Sequence, residues 1–181
     1  MAHASEVVVY TSVDQVFSEP ILQEFETRTG IKLKAVYDVE ASKTTGLFNR
    51  LIAEKPYPKA DVFWNSEVGY TLVLKQKGIL TPYRSPSAID IPPQFKDKDG
   101  YWVGYAARAR VLIYNTKLLK ADAVPNSIFD LIKPAWKGKV ALGYPLFGTI
   151  ATHMAALYAV LGPEKTENYL RALKQNNVLI V

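Results

Sequence analysis

The stretch VVVYTSVDQVF, residues 7–17, combines a strand, a sharp turn and the start of a helix, and it decides the fold class. Its valines and Tyr10 form a β-branched, apolar run that is typical of a buried parallel strand. Thr11, Ser12 and Asp14 then place three side-chain oxygens within four residues, at the point where the helix begins. Two interpretations follow: these oxygens cap the helix, or they face a ligand.

The alternation of strand and helix continues through the first eighty residues. Apolar periodicity predicts strands over residues 6–10, 31–37 and 60–63, and helices over 14–29, 41–54 and 66–77, with Gly78 just past the end of the third helix. Short loops between such elements indicate a parallel α/β sheet built from right-handed crossovers. In the first helix we expect one apolar face to pack inward, formed by Val16, Phe17, Ile21, Leu22 and Phe25.

The pattern changes after residue 80. Residues 81–100 contain four prolines and read as a surface excursion. The following stretch, YWVGYAARARVLIYNT at 101–116, predicts a long strand that crosses between two lobes. Beyond it we expect a short turn-helix at 127–132, a strand at 138–142 and helices over 149–161 and 163–176. The final NVLIV run is strand-like, so we expect either a longer natural protein or self-association through this apolar edge.

Composition excludes several classes of function. The 181 residues carry a net charge of +5, but the basic residues are scattered, which argues against a nucleic-acid-binding face. The chain has no cysteine, so disulfides, thiolate metal sites and cysteine catalysis are excluded. No apolar run approaches the ~20 residues of a membrane span. The N-terminal MAHAS lacks the features of a signal peptide, so either the protein has none or this chain begins after one.

Catalytic patterns are missing as well. The histidines are His3, near the terminus, and His153, which lies in an apolar helical segment. The sequence has no nucleophile elbow, P-loop, G-x-G-x-x-G or H-E-x-x-H motif. The pattern therefore favours a binding protein over an enzyme.

Polar residues follow three predicted strands, at the sheet edge where open parallel sheets bind ligands. The three segments are residues 10–14, 63–67 (FWNSE) and 143–149 (GYPLFGT). We expect them to share a cleft, which Tyr105, near the predicted crossing, would also line. The predicted ligand-contacting residues are Thr11, Ser12, Asp14, Trp64, Asn65, Ser66, Glu67, Tyr105, Gly148 and Thr149. A metal here would need oxygen ligands, and Asp14 and Glu67 are the predicted ones.

Four blocks of the chain resemble the N-terminal half of bacterial ABC-transporter solute-binding proteins of the ferric-iron-binding type. They are residues 7–38, LIAEKPYPKADVFWNSE at 51–67, residues 101–116 and PAWKGKVALGYPLFGT at 134–149. The resemblance implies a type II periplasmic-binding-protein fold, with two α/β lobes around a cleft. It implies that lobe one covers residues 5–107 and that an incomplete lobe two covers 108–181.

The resemblance also implies roles for single residues. Asp14 stands at about the position where ferric-binding relatives often have a ligand histidine. Glu67 lies one residue later than a carboxylate of some relatives, and Ser66 occupies that slot. Gly148 and Thr149 match the loop and helix start that hold an anion. The tyrosine pair that dominates iron coordination in the family would lie beyond residue 181.

These matches imply an exported receptor of an ABC importer, periplasmic or extracellular, with a lipid-anchored precursor as a further option. Its transported ligand would be Fe(3+), and its partner a membrane permease. A first alternative keeps the receptor and replaces the metal with a phosphonate, sugar phosphate or polyamine. A second is an enzyme, or the effector domain of a regulator, on the same fold.

Overall fold

A computed structural model describes residues 6–38, 44–145 and 148–181, and the chain divides into two compact units, Met1–Ala106 and Ala107–Val181. The first unit contains β1 (Glu6–Thr11), α1 (Gln15–Thr29), β2 (Lys32–Tyr37), α2 (Thr45–Ala53), β3 (Val62–Trp64) and α3 (Val68–Gln76). The second contains β4 (Ala141–Leu142), α4 (Gly148–Leu161), α5 (Pro163–Gln175) and β5 (Leu179–Ile180). The predicted alternation of strands and helices is confirmed. The predicted first residues of the second helix, 41–43, lie outside the described residues.

β1 is the central strand of a three-stranded parallel sheet with the order β2–β1–β3. On one face of this sheet Tyr10 packs with Leu47 and Leu51 of α2 and Leu74 of α3. All four side chains are buried, and Leu74 has no exposed surface. Burial of this apolar cluster is the main source of stability for the first unit.

α1 lies against the opposite face of the sheet, where Thr11 and Tyr37 are paired in register. Ser18 is fully buried there and hydrogen-bonds Tyr37. The Glu26 carboxylate accepts a 2.6 Å hydrogen bond from the backbone N–H of Leu33 in β2. The helix ends at Gly30, whose left-handed backbone (φ 71°) lets its N–H bond the carbonyl of Glu26 at 2.8 Å.

The prediction that the apolar face of α1 packs inward is wrong. Phe17, Ile21 and Phe25 are 66%, 54% and 41% exposed, and Val16 is exposed as well. Leu22 alone of the predicted set turns partly inward, beside the buried Ser18. The small, polar side of α1 approaches the sheet because Ser18 and Glu26 make the hydrogen bonds that fix the helix there.

The excursion after α3 folds back on itself and is tied to the end of that helix. Lys96 and Val103 form an antiparallel bridge, and the N–H of Gly104 bonds the carbonyl of Phe95 at 2.8 Å. The ammonium group of Lys75 lies 2.7 Å from Asp97 Oδ1 and 3.0 Å from Asp99 Oδ2. These ion pairs hold the excursion against α3.

The predicted long strand over residues 101–116 is wrong. Apart from the bridge at Val103, no residue of this stretch forms a β-bridge within the described part of the chain. A strand needs a neighbour for its N–H and C=O groups, and its side-chain pattern alone does not supply one. Val111 and Ile113, which alternate as in a strand, are 69% and 91% exposed.

The second unit has a small core under α4 and α5, formed by Leu157, Tyr169 and Leu173. A 3-10 turn at Ile128–Ile132 is fixed to it, because the hydroxyl of Tyr169 donates to the carbonyl of Ile128 at 3.1 Å. This turn confirms the predicted one at 127–132. β4 and β5 form a two-stranded parallel sheet.

The terminal NVLIV run is therefore not without a partner, because Leu179 and Ile180 pair with β4. Its apolar side chains nevertheless stay largely exposed. Among the helices of the described segments, none is long and apolar enough to cross a membrane.

Candidate ligand-binding site

A depression of about 410 Å³ opens at the carboxyl ends of β1 and β2. Its walls are the turn that follows β1 and the last residues of β2. The lining residues are Thr11, Ser12, Val13, Asp14, Gln15, Val16, Tyr37 and Asp38. The predicted residues Thr11, Ser12 and Asp14 are thus brought together at one opening in the first unit.

The turn after β1 is held by backbone bonds to both neighbouring strands. The N–H of Ser12 donates to the carbonyl of Trp64 at 3.1 Å, and the N–H of Asp38 donates to the carbonyl of Thr11 at 3.0 Å. The Thr11 hydroxyl, which is fully buried, accepts a 3.1 Å bond from the N–H of Val13. Hydrogen bonds to both neighbouring strands therefore hold the floor of the depression in place.

Asp14 occupies the N-cap position of α1, but its side chain makes no capping hydrogen bond. The main-chain carbonyl of Asp14 starts the helix, because it accepts from the N–H groups of Phe17 and Ser18 at 2.9 and 3.0 Å. Asp14 also takes part in other interactions, and its half-buried side chain borders the depression. The turn after β1 was interpreted either as a helix cap or as a ligand-facing turn. The hydrogen bonds do not support capping of α1 by the Asp14 carboxylate.

Tyr37 and Asp38 at the end of β2 complete the depression, and sequence reasoning missed them. Thr44 bonds the turn after β1 but is not among the lining residues. The Thr44 hydroxyl donates to Ser12 Oγ at 2.9 Å, and the N–H of Leu47 donates to Asp38 Oδ2 at 3.3 Å. Thr44 is buried with φ at 69°, a strained conformation for a β-branched residue. Tyr37 and Asp38 follow a strand end just as Thr11 and Ser12 do, so the strand-end rule applied to β2 would have found them.

Tyr37 contributes a neutral hydroxyl to the depression. Burial raises the pKa of this phenol, and the nearby Glu19 carboxylate raises it further, while the hydrogen bond with Ser18 acts in the opposite direction. At neutral pH the group is therefore protonated and can donate a hydrogen bond.

The second predicted turn, after β3, is organised differently. The Asn65 amide donates to Thr71 Oγ1 at 3.0 Å, and its oxygen accepts from the N–H of Glu67 at 2.7 Å. Glu67 is the N-cap residue of α3 and is 3% exposed, and Ser66 between them is half-buried. The side chain of Asn65 is used to start α3, and these three residues are not among those lining the depression.

Trp64 and Tyr105 lie beside each other in the first unit. Their ring centroids are 6.2 Å apart at an interplanar angle of 52°. Burial raises the pKa of the Tyr105 phenol, and a hydrogen bond with the Trp64 side chain partly offsets this rise. The pair forms a tilted aromatic contact next to the end of β3.

The third predicted segment belongs to the second unit, and its residues 146–147 lie outside the described part of the chain. α4 begins at Gly148, and the guanidinium of Arg110 donates to the hydroxyl of Thr149. One turn further on, the pKa of His153 is lowered by burial and by the charge of Arg110. Positive charge and helix N–H groups are thus collected at the start of α4.

Within residues 6–38, 44–145 and 148–181, no three or more His, Cys, Asp or Glu side chains are grouped so that they could hold a metal ion. Asp14 and Glu67 stay predicted metal ligands.

The chain has the fold of a type II periplasmic binding protein. Iron-bound HitA from Pseudomonas aeruginosa matches 98% of this chain with a TM-score of 0.86 at 26% identity, and 56% of HitA is covered. AfuA from Actinobacillus pleuropneumoniae, with exogenous fructose-6-phosphate bound, matches 96% of the chain with a TM-score of 0.71 at 26% identity, and 56% of AfuA is covered.

Residues 57–180 match the family described as "Bacterial extracellular solute-binding protein", and the chain belongs to that family. The Fe(3+)-binding periplasmic protein of Serratia marcescens is 28% identical over 170 residues, which cover 94% of this chain and 49% of that protein. The chain thus spans about half the length of the curated relatives it matches. The predicted fold and family are confirmed, and these relatives are binding proteins rather than enzymes.

Proposed function

We propose that this chain forms part of a periplasmic receptor that binds a small solute and delivers it to an ABC permease. The observation that carries the proposal is the depression after β1, where Ser12, Asp14 and Tyr37 surround an opening at the carboxyl edge of the sheet. Ligands of open parallel sheets bind at this edge. The names of the periplasmic relatives support the same location and role.

Ferric iron is the proposed ligand. The Serratia relative is named for Fe(3+), and the structure of HitA is iron-bound. Asp14 supplies a hard oxygen donor of the kind that Fe(3+) prefers, and Glu67 would supply a second. In this proposal Asp14 is the ligand-contacting residue of the first unit, and Gly148 and Thr149 at the start of α4 are those of the second.

A phosphorylated organic solute is the alternative, and two observations favour it. AfuA shares the fold and binds fructose-6-phosphate in its crystal structure. Arg110 and Thr149 lie together at the start of a 14-residue helix, where phosphate groups are favourably bound. The proposal further includes a lipid-anchored precursor and self-association through the exposed β5 edge.

Native mass spectrometry of the purified chain tests the ligand. A retained mass of iron, with or without a small anion, supports the ferric receptor, and a retained sugar-phosphate mass supports the alternative. Titration with ferric citrate and with fructose-6-phosphate follows by calorimetry. If the chain retains neither mass and neither titration gives heat, the proposal is wrong for this chain.

A matched pair of variants tests the site. Asp14→Ala should weaken binding about tenfold or more, which corresponds to about 1.4 kcal/mol, with nearly unchanged thermal stability. Gln23→Ala, on the exposed side of α1, should bind as the parent chain does. A large loss of stability in Asp14→Ala with unaltered binding would make Asp14 a structural residue of the turn.

A further inference from the structure

The side chain at the start of α2 is used away from its own helix. Thr44 is the N-cap residue of α2, and its carbonyl starts the helix by accepting from the N–H of Phe48 at 2.9 Å. A threonine at this position usually accepts a hydrogen bond from the first turn through its hydroxyl oxygen, but the hydroxyl of Thr44 makes no capping bond. It donates instead to Ser12 Oγ at 2.9 Å, in the turn after β1.

The backbone of Thr44 is strained in the conformation that makes this contact. Its φ of 69° lies in the left-handed region, which a β-branched residue rarely adopts, and the residue is 3% exposed. Strain of this kind persists only where the surrounding structure holds it, and it concentrates at functional sites. Since the side chain does not cap α2, the contact that this strained conformation provides is the one to Ser12.

Ser12 is held at both its backbone and its side chain. Its N–H donates to the carbonyl of Trp64 at 3.1 Å, which ties it to β3, and its Oγ accepts from Thr44. Ser12 is half-buried and lines the depression after β1. The two anchors restrict the rotamers of Ser12, so its hydroxyl group has a defined place in the wall of the depression.

The direction of the hydrogen bond decides what Ser12 can offer to a solute. A hydroxyl group has one proton and two lone pairs. Because Thr44 donates, the proton of Ser12 is not used in this bond, and among the described residues no group accepts it. A solute atom that accepts a hydrogen bond satisfies this proton, whereas a group that has only donors leaves it unpaired.

We propose that Thr44 is a positioning residue that fixes the Ser12 hydroxyl as a hydrogen-bond donor to the solute, and so selects a solute with an acceptor oxygen at this point. The inference rests on the proposed receptor function of the depression. A carboxylate, phosphate ester or sugar hydroxyl oxygen meets the requirement. An ammonium group has donors only, so simple polyamines are disfavoured.

Calorimetric titrations with ferric citrate, fructose-6-phosphate and spermidine test the selection. The parent chain should bind at least one of the two oxygen-bearing probes, and it should bind spermidine more weakly. Thr44→Val keeps the size and branching of the side chain but removes the hydroxyl, and it should weaken that binding about threefold to tenfold. Thr44→Ser, which keeps the hydroxyl, should bind as the parent does.

Thr27→Val is the matched control. It also removes a hydroxyl that donates at 2.9 Å, here to the carbonyl of Gln23 on the exposed side of α1. The position lies three turns along the helix from the depression, so the variant should bind each probe as the parent does. Circular dichroism at the titration temperature shows whether each variant is folded.

A hydroxyl proton signal tests the direction of the bond without any solute. In nuclear magnetic resonance spectra of the isotope-labelled parent chain, the Thr44 hydroxyl proton should exchange slowly with solvent because Thr44 is buried. It should also show a nuclear Overhauser contact with the β protons of Ser12. A slowly exchanging proton on Ser12 that points to Thr44, or no such signal on either residue, overturns the proposal. This measurement needs only the parent chain, so it decides even if Thr44→Val does not fold.

The outcomes separate this inference from the receptor function. Spermidine binding that is tighter than the binding of both oxygen-bearing probes overturns the selection, while the receptor function stands. Equal binding by the parent and a folded Thr44→Val overturns it too, as does a Thr44→Ser variant that binds as weakly as Thr44→Val. If the parent binds none of the three probes, the receptor function fails for this chain, and the hydroxyl signal alone decides the inference.

Discussion

The turns after β1 and after β3 both connect a strand to a helix at the carboxyl ends of the strands. Their polar side chains are similar but make different hydrogen bonds. After β1, Ser12 and Asp14 border an open depression, and the main-chain carbonyl of Asp14 starts α1. After β3, the amide of Asn65 bonds both Thr71 and the N–H of Glu67, so it is consumed in starting α3. The position of polar residues at a strand end therefore predicts where a site can lie, and their hydrogen bonds show which side chains are used to start a helix.

The largest effect should come from the core that supports both turns. Leu74→Ala empties a fully buried position beside Tyr10 and should lower the free energy of unfolding by about 2–5 kcal/mol. Leu72→Ala, in the same helix but 42% exposed, is the control and should cost much less. Urea unfolding of both variants gives the comparison. Equal losses would show that α3 does not hold the sheet as described.

Comparing Asn65→Ala with Asp14→Ala tests whether the turn after β3 contributes more to stability than the turn after β1. It removes two hydrogen bonds at the start of α3 and should lower the free energy of unfolding by about 1–2 kcal/mol. Asp14→Ala keeps the carbonyl that starts α1 and should cost less in the same urea experiment. If the two losses are reversed in size, the contrast between a structural turn and a binding turn is wrong.

Ser12→Ala should lower the free energy of unfolding by less than Asn65→Ala does. It should also produce a measurable change in hydrogen exchange near the site. It deletes the acceptor of the 2.9 Å bond from Thr44, whose strained backbone that bond helps to hold. We expect a loss of about 1 kcal/mol in unfolding free energy and faster amide hydrogen exchange at residues 44–47. Thr71→Ala makes a matched deletion at the other turn, and it should leave exchange at residues 44–47 unchanged.

The smallest effect concerns pH. The Lys75 ammonium beside Asp97 holds the pKa of that carboxyl below its usual value of 3.8. Because the folded pKa is lowered, the contribution to stability is complete above that value and is lost as the pH falls through the lowered pKa. Lys75→Gln should therefore destabilise the chain at pH 7 but very little at pH 2.5. Lys77→Gln, an exposed neighbour, should show no such difference in urea titrations at the two pH values.

The sequence predicted the parallel arrangement because apolar runs such as Val7–Tyr10 are strong local signals. It did not predict the orientation of α1, since periodicity shows that Phe17, Ile21 and Phe25 form a stripe but not what lies against it. The prediction of a strand over residues 101–116 is wrong for a related reason. These residues have the composition of a strand, but strand pairing depends on a neighbouring strand that the local pattern does not contain.

The residues of the candidate site were likewise predicted from the sequence only in part. Thr11, Ser12 and Asp14 were found because a strand end and a helix start coincide there. Thr44 was not, because its approach to Ser12 depends on how the chain returns from β2 to α2. The side chain of Asn65 makes local hydrogen bonds that start α3. Whether a polar side chain is used in this way depends on the local geometry and not on the residue type, so the sequence did not predict it.

The order β2–β1–β3 also has a consequence for the nascent chain. β1 precedes β2 and β3 in the chain but is the central strand of the sheet, so its two edges gain their partners only when β2 and then β3 have been synthesised. At ~5–20 residues per second, the roughly 50 residues between β1 and β3 take ~3–10 s to appear. During that time the uncharged run Val7–Tyr10 lacks its strand partners, and an open β-edge of this kind can pair with another chain.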